Sequence, residues 1–391
     1  MNNFQIGIFQ KVCDTKKNQG KNLMISPLSI YHILSLTTNG ASNNTLKEML
    51  HVLCHNIKEE MNEVNKIISS VTQKLKTVEI SNALFTRIKP LYSFMENIKE
   101  YKAKVDELKD VDQINKWCSD ATHGKIKKII QYVNPKDLMI LINAIYFKGK
   151  WEKVFDVKFT SQKIFTNYKK EKKRVDFMYM SNKLNYFENN SLQAISLKYK
   201  EDKINAIIIL PKKETNINNF IHNFNYEQFN QIKKGLKINK VKLYLPKFEI
   251  EFEDELNDYF KSLGMNDAFD KKKADFTLIK PKEIIFISQI IHKTYIKVDE
   301  EGTEAAAVTA IITTKGRKAE EKEIIMNVNH PFLFIIINND LPAEHNILFI
   351  TKIDDLGEEK LGAIGDIKRE IKRKSRSNSK KTKSRSRSKK G

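Results

Sequence analysis

The residues from Gly302 to Ala310 could change conformation, because they have the composition of a strand that can enter an existing sheet. Successive strand residues point to opposite faces. One face of this segment carries small, uncharged side chains: Thr303, Ala305, Ala307 and Thr309. The charge of Glu304 falls on the other face. The face that carries the small side chains can therefore enter between two strands without burying a charge.

Gly302 precedes this segment at a point where the chain must bend sharply, and a residue without Cβ allows such a bend. The competing interpretation is a helix over residues 301–310, because Ala305, Ala306 and Ala307 favour helices by propensity. A helix in one state does not exclude an inserted strand in another.

Sequence patterns of enzymes are missing. The chain has no Gly-x-Ser-x-Gly, His-Glu-x-x-His or phosphate-loop motif, so an enzyme is disfavoured. Cys13, Cys54 and Cys118 are odd in number and lack metal-ligand spacing, which indicates neither a disulfide framework nor a zinc site. We expect no metal, no cofactor and a reducing compartment.

The 391 residues contain no linker before the C-terminal region, and 40% are hydrophobic, which suits one large core. We predict a single domain over residues 1–357 and a separate tail over residues 358–391. No apolar run approaches the ~20 residues of a membrane span, and residues 1–12 lack a signal pattern. The sequence favours a soluble monomer in the cytoplasm or nucleus, with leaderless secretion left open.

Other secondary-structure elements must position this segment. Along the chain, helical patterns come first and strand patterns come later, and this order predicts an α+β fold. Ser26 and Pro27 begin a helix that ends near Gly40, and helical patterns continue to about Lys128. Strands are predicted at residues 80–85, 138–147, 204–210, 241–245, 248–252, 283–298, 332–337 and 346–353. Pro246 and Lys247 are interpreted as a bulge between two strands of opposite phase.

Several motifs in order resemble the serpin family over about residues 4–356. They are residues 22–29 (NLMISPLS), 143–151 (NAIYFKGKW), 245–248 (LPKF), 263–269 (LGMNDAF), 274–276 (ADF), 292–295 (HKTY), 298–310 and 329–334 (NHPFLF). The resemblance implies an inhibitor that a serine protease acylates at an exposed loop, here about residues 300–325. The cut loop then inserts into the main sheet and traps the acyl-enzyme, which would also be possible with a cysteine protease.

The resemblance also assigns roles to individual residues. The hinge of the loop would comprise Glu300, Gly302, Thr303, Glu304, Ala305, Ala306 and Ala307. The gate of the sheet would comprise Ser26, Ser29, Asn143 and His292. At the hinge base, called the breach, Glu300 would form an exposed ion pair with Lys247 near Trp151. The simpler interpretation makes Ser26 only a helix cap and His292 only a core histidine.

The cut site depends on the length of the loop. The spacing from Gly302 that is usual in the family places the scissile bond after Gly316. A loop one residue shorter places this bond after Lys315, and a loop one residue longer places it after Arg317. Lys315 and Arg317 suit a trypsin-like pocket with an acidic floor. The alternative is that these basic residues form a solvated charge run in a loop that inhibits nothing.

The basic tail departs from the family pattern. Residues 368–391 hold 13 Lys/Arg and one acidic residue, so they contribute +12 of the formal charge of +21. So charged a segment cannot bury enough apolar surface to fold. Three interpretations of the segment from Lys368 to Lys390 compete: a nuclear localisation signal, an arm for nucleic acid or another polyanion, and a solubilising tail. A non-inhibitory, nucleic-acid-binding protein is therefore the alternative function.

Overall fold

The computed structural model of the chain describes residues 3–201, 203–303 and 323–357. The α-helices in these ranges are α1 (Phe4–Asp14), α2 (Pro27–Thr38), α3 (Asn43–Val52), α4 (Lys58–Thr72), α5 (Tyr92–Asn97), α6 (Val111–Ala121), α7 (Ile217–Asn223), α8 (Tyr226–Gly235) and α9 (Asn257–Ser262). The first eight strands are β1 (Leu23–Ile25), β2 (Val78–Thr86), β3 (Lys104–Glu107), β4 (Met139–Phe147), β5 (Gly149–Lys150), β6 (Ser161–Thr166), β7 (Lys172–Glu188) and β8 (Leu192–Lys198). The others are β9 (Ile204–Pro211), β10 (Lys237–Pro246), β11 (Phe248–Glu255), β12 (Ile287–Val298), β13 (Gly302–Thr303), β14 (Ile324–Asn327), β15 (Phe332–Asn338) and β16 (Ile347–Ile353).

The central sheet contains β2, β3, β4, β5, β11, β12 and β13. Its middle is the parallel pair β4 and β12, and β2 and β11 lie antiparallel on the outer sides of that pair. All nine residues of β4 are buried, as expected for a strand covered on both faces. The border between β4 and β12, here called the seam, is the only parallel contact of these two strands in the described residues.

The second sheet follows the order β1, β16, β15, β9, β8, β7, β10 and β14, with β6 paired to β7. The pairs from β16 to β9 are antiparallel, and their apolar side chains contribute to the main core. The parallel pair of β10 and β14 places Ile324 beside Val241. Because β14 follows the undescribed residues 304–322, this sheet holds the far end of the loop.

Helix α2 lies in the core, and all twelve of its residues are buried. The Ser26 side chain caps the helix by accepting from the Ser29 N–H, and Pro27 occupies the first turn, where its missing N–H costs nothing. Helix α6 packs on the other side of the central sheet. Its Ile114 and Cys118 join a second apolar cluster with Ile142 of β4 and Ile291 of β12. The seam is therefore covered by α6 on one face.

The predicted α+β class is confirmed, and so are the start of α2 and the buried strands now seen as β4 and β9. The strand predicted over residues 283–298 begins later, at Ile287. The short strand β3 was not predicted, because its Lys and Glu residues give no apolar alternation. A second basic run covers residues 169–174. Residues 169–171 lie in the turn between the antiparallel strands β6 and β7, and Lys172, Lys173 and Arg174 begin β7, so the run spans the tip of a hairpin.

The bulge predicted at Pro246 and Lys247 is wrong. β10 ends at Pro246 in the second sheet, and β11 begins at Phe248 in the central sheet. The opposite phases of the two alternating patterns therefore reflect a transfer of the chain between two sheets. Lys247 lies at that junction, which brings its side chain to the base of the loop.

Candidate functional site

Asn143 and His292 face each other across the seam. They are register partners on β4 and β12, and both are fully buried. The Asn143 Oδ1 atom lies 2.5 Å from His292 Nδ1, and the Ser26 N–H donates to His292 Nε2 over 3.1 Å. Because Nε2 accepts, the ring proton lies on Nδ1 and is donated to Asn143. Burial lowers the pKa of His292 to about 3, so the ring is neutral near pH 7.

The amide of Asn143 also connects the seam to α2 and β2. Its Nδ2 donates to the Ser29 hydroxyl oxygen and to Asn82 Oδ1. The Ser29 hydroxyl in turn donates to Asn82 Oδ1 over 3.3 Å. Ser26, Ser29, Asn143 and His292 thus form one buried hydrogen-bond network. The helix-cap role of Ser26 and its contact with His292 coexist, because the cap uses the hydroxyl and the contact uses the N–H.

Glu300 lies at the base of the loop. Its Oε2 is 2.9 Å from Lys247 Nζ, and the Thr160 hydroxyl donates to its Oε1 over 2.7 Å. The pair was expected to be exposed, but Glu300 is only 5% exposed. Burial opposes ionisation, yet the hydrogen bonds from Lys247 and Thr160 outweigh it and lower the pKa of Glu300.

Trp151 is buried beside the same segment. Its indole Nε1 donates to the Asp299 carbonyl over 3.0 Å, and its backbone N–H donates to the Glu301 carbonyl over 2.9 Å. Its ring stacks on Tyr199, with centroids 4.4 Å apart. These contacts fix the backbone on both sides of Glu300.

The first two residues of the small-residue segment already form a strand. Thr303 pairs with Val298 of β12 and with Gly149 of β5, and β13 runs antiparallel to both neighbours. Thr303 is fully buried, and its hydroxyl oxygen lies 2.9 Å from the Tyr199 hydroxyl. For residues 302 and 303, a strand is thus observed in place of the competing helix.

Gly302 is required by a close approach of two backbones. A Cβ atom at this position would lie 2.1 Å from the Gly149 carbonyl oxygen and 2.7 Å from Lys150 Cα. Real Cβ contacts are not that short, and neither atom belongs to a flexible side chain. A larger residue would separate β13 from β5.

The remaining predicted residues lie outside the described parts of the chain. They are Glu304, Ala305, Ala306 and Ala307 of the hinge, Lys315, Gly316 and Arg317 of the cut site, and the tail of residues 358–391. The described chain resumes at Glu323, which forms ion pairs with Lys240 and Lys242 on β10.

Four contact residues were missed by sequence reasoning: Asn82, Thr160, Tyr199 and His32, whose Nδ1 lies 3.3 Å from Asn82 Nδ2. Asn82 could have been noticed in the sequence, because it is a polar residue next to the apolar run that forms the buried second half of β2. His32 gave a similar signal on the apolar helix α2. Thr160 and Tyr199 gave none, because their roles depend on contacts with Glu300 and Thr303, far away in the sequence.

Two kinds of feature are absent from the described ranges. Residues 3–201, 203–303 and 323–357 contain no group of three or more His, Cys, Asp or Glu side chains placed to hold a metal ion. In the same residues, every helix is too short or too polar to cross a membrane.

Comparison with known proteins agrees with this geometry. The family model for serpins, described as serine protease inhibitors, matches residues 1–356. Human serpin B8 is 32% identical over 358 residues, which cover 85% of this chain and 93% of that protein. The leukocyte elastase inhibitor of Xenopus tropicalis is 30% identical over 368 residues, covering 88% of this chain and 96% of that protein.

A solved structure also matches. The thermophilic serpin tengpin, in its native state, superposes with a TM-score of 0.81 and 32% sequence identity, over 91% of this chain and 93% of the other. The central sheet, the buried network at its seam and the short strand at its end thus occur in a chain that belongs to the serpin family of serine protease inhibitors.

Proposed function

We propose that the protein inhibits a serine protease as a suicide substrate. The protease would acylate the loop, the cut loop would enter the central sheet between β4 and β12, and the acyl-enzyme would remain trapped. The observation that carries this proposal is the short strand β13. Its two residues already lie between β12 and β5, which directly follows β4 in the chain, and they run antiparallel to both strands. An inserted loop would continue in that direction.

The residues after Thr303 suit this continuation. Ala305, Ala307 and Thr309 would follow Thr303 on the same face of an extended strand. If about ten residues become paired and each gains on the order of 1 kcal/mol per hydrogen bond, insertion releases roughly 10 kcal/mol. That is comparable to the ~5–15 kcal/mol that stabilises a typical domain. Distortion of the protease and its oxyanion hole is then energetically feasible.

The network at the seam would act as the gate. Opening the seam requires β4 to leave β12, and the hydrogen bond between Asn143 and His292 is one side-chain contact that opposes this. Exchanging one such bond for another costs little when every partner is replaced. Glu300, Lys247 and Trp151 would hold the base of the loop while its remainder moves.

The target is a trypsin-like protease in this proposal, with a cysteine protease as a further possibility. Arg317 and Lys315 offer a cationic side chain to an acidic pocket, whereas Gly316 offers none. Elastase is the natural comparison enzyme, because one relative is named a leukocyte elastase inhibitor.

A stability measurement tests insertion separately from trapping. The loop is cut with catalytic amounts of trypsin, and the thermal unfolding of cut and intact protein is compared. Insertion adds a strand, so the cut protein should unfold at a higher temperature. A cut protein of equal or lower stability would remove the basis of the mechanism.

The basic tail supports a second candidate function. The charge of +12 in residues 368–391 favours an arm that binds nucleic acid or another polyanion and directs the protein to the nucleus. Deleting these residues should abolish salt-sensitive binding to DNA or RNA and leave protease inhibition unchanged. Binding that survives the deletion would assign it to the serpin domain over residues 1–357.

A further inference from the structure

The last described residues of the chain lie against the basic run of residues 169–174. Lys173 Nζ is 2.6 Å from Asp355 Oδ2. Gly357 lies so close to the same lysine that a Cβ atom on it would be 2.7 Å from Lys173 Cδ. The chain therefore leaves the serpin domain beside the basic run, and the basic tail begins eleven residues later, at Lys368.

Hydrogen bonds hold this exit point in place. Asn22 Oδ1 accepts from the N–H groups of Asp354 and Asp355 over 2.8 and 2.9 Å. The N–H of Tyr168, which lies just before the basic run, donates to the Asp354 carbonyl over 3.0 Å. Because these bonds fix both backbones, the fold itself keeps the exit point next to the basic run.

The cations of the basic run are available to a ligand. Those that are exposed and form no ion pair within the described residues are Lys169, Lys170, Lys172 and Arg174. The one acidic member, Glu171, accepts at Oε2 from the Asn167 amide over 2.8 Å. The run holds five basic residues and one acidic residue, a formal charge of +4. Together with the +12 of the basic tail, the two segments carry +16 of the formal +21.

The chemistry of the basic run suits the phosphate backbone of a duplex. A concentrated positive charge favours a phosphate polymer, because each phosphate contact releases counterions. Proteins that bind single strands without sequence preference also present aromatic rings on which bases stack. Residues 167–174 contain one aromatic residue, Tyr168, whose ring packs on Gly20 so closely that a Cβ atom there would lie 2.0 Å from its Cζ. The run therefore offers charge without a free stacking surface.

The two basic segments can reach the same duplex. The stretch from Gly357 to Lys368 spans at most about 40 Å when fully extended. A duplex carries one phosphate charge per about 1.7 Å of its axis, so this reach covers roughly twenty phosphates. We propose that the basic run and the basic tail together bind the phosphate backbone of one nucleic-acid duplex. This inference rests on the second candidate function, the binding of nucleic acid by the tail.

The test measures how salt weakens binding of the full chain to a DNA duplex. Fluorescence anisotropy follows a mixed-sequence duplex of about 24 base pairs between about 50 and 200 mM salt. The variant combines Lys169→Gln, Lys170→Gln and Lys172→Gln, which removes three charges and keeps the aliphatic parts of the side chains. The logarithm of the affinity falls with the logarithm of the salt concentration by about 0.9 per phosphate contact, so the slope should become shallower by about 2–3.

A second triple variant provides the matched control. It combines Lys271→Gln, Lys272→Gln and Lys273→Gln, three consecutive exposed lysines in a segment that bonds to α3 through Asp275. The control loses the same charge, and its salt slope should equal that of the unaltered protein. An equal change of slope in both triple variants would show that only the net charge matters and would overturn the proposal.

A footprint of the bound duplex gives a readout that needs no variant. Lysines of the unaltered protein are acetylated with and without the duplex, and the modified positions are identified by mass spectrometry. The duplex should protect Lys169, Lys170 and Lys172 and leave residues 271–273 accessible. Equal acetylation of the basic run in both states would also overturn the proposal.

Deletion of residues 368–391 separates this inference from the function on which it rests. Loss of duplex binding on deletion, together with an unchanged slope in the basic-run variant, would reject the shared site and leave nucleic-acid binding by the tail intact. A full chain that binds neither the duplex nor a single strand would reject both. Tighter binding of a single strand of the same length would overturn the assignment to a duplex backbone.

Discussion

The imidazole of His292 and the side-chain amide of Asn143 form a hydrogen bond across the parallel border of β4 and β12, with Nδ1 and Oδ1 2.5 Å apart. The second ring nitrogen of His292 accepts from the Ser26 N–H. A neutral ring satisfies both contacts at once, whereas an imidazolium cannot accept from Ser26. The closed sheet thus depends on the protonation state of one buried histidine.

Acidification should open the seam. The pKa of His292 is about 3 in the closed sheet and about 6.5 for an ordinary histidine, so the open or unfolded form binds the proton more readily. The closed form is favoured above pH 6.5 and loses stability as the pH falls toward 3. The rate at which a synthetic peptide of residues 303–314 enters the central sheet should therefore rise between pH 6.5 and 5, by at most about tenfold per pH unit for one proton.

His292→Gln is the control for this pH dependence, because glutamine does not titrate. Its pH slope should be smaller than that of the unaltered protein. Some slope should remain from His32, whose pKa burial lowers to about 4. An unchanged slope in the variant would show that His292 does not control the opening.

Thr303→Arg should convert the inhibitor into a substrate. Thr303 is fully buried between β12 and β5 and touches the Tyr199 hydroxyl, so an arginine there would bury an unpaired charge. Trypsin should cleave the variant without forming a covalent complex, as a denaturing gel would show. Thr303→Ser keeps the hydroxyl and should inhibit normally. Equal inhibition by the arginine variant would contradict the insertion mechanism.

Lys247→Met should destabilise the base of the loop. The change leaves the buried Glu300 carboxylate with Thr160 as its remaining side-chain partner, at a cost of about 1–3 kcal/mol. Denaturant unfolding of this variant, of Glu300→Gln and of the double variant forms a double-mutant cycle. The two changes should be non-additive. Additive effects would mean that the observed ion pair contributes no stability.

Gly302→Ala should weaken the short strand β13. The added methyl group would meet the Gly149 carbonyl and the Lys150 backbone at less than 3 Å, so one strand must move. We expect faster hydrogen exchange at residues 149–151 and a lower melting temperature. Exchange rates equal to those of the unaltered protein would show that β13 tolerates the larger residue.

The cut bond can be assigned by two separate substitutions, Arg317→Ala and Lys315→Ala. The substitution at the residue before the bond should remove most of the complex formation with trypsin, because its acidic pocket loses its cationic partner. The other should have little effect. If neither changes the rate, the bond lies elsewhere, with Gly316 the remaining candidate.

The sequence was sufficient for the fold class and for the residues near the seam, because ordered motifs and buried apolar strands carry that information. It was insufficient for contacts that depend on the register of distant strands. Asn82 meets Asn143 only because β2 and β4 align in one register, and Tyr199 meets Thr303 over 104 positions. The burial of Glu300 was also missed, because the transfer of the chain between sheets at Lys247 resembled a bulge.

The most direct test of the mechanism is to mix the purified protein with trypsin and analyse the products on a denaturing gel, with mass spectrometry of the released C-terminal peptide. The mechanism predicts a covalent band that survives denaturation and a peptide that begins at residue 316, 317 or 318. Complete cleavage without such a band, with trypsin and also with elastase-like and chymotrypsin-like enzymes, would contradict it.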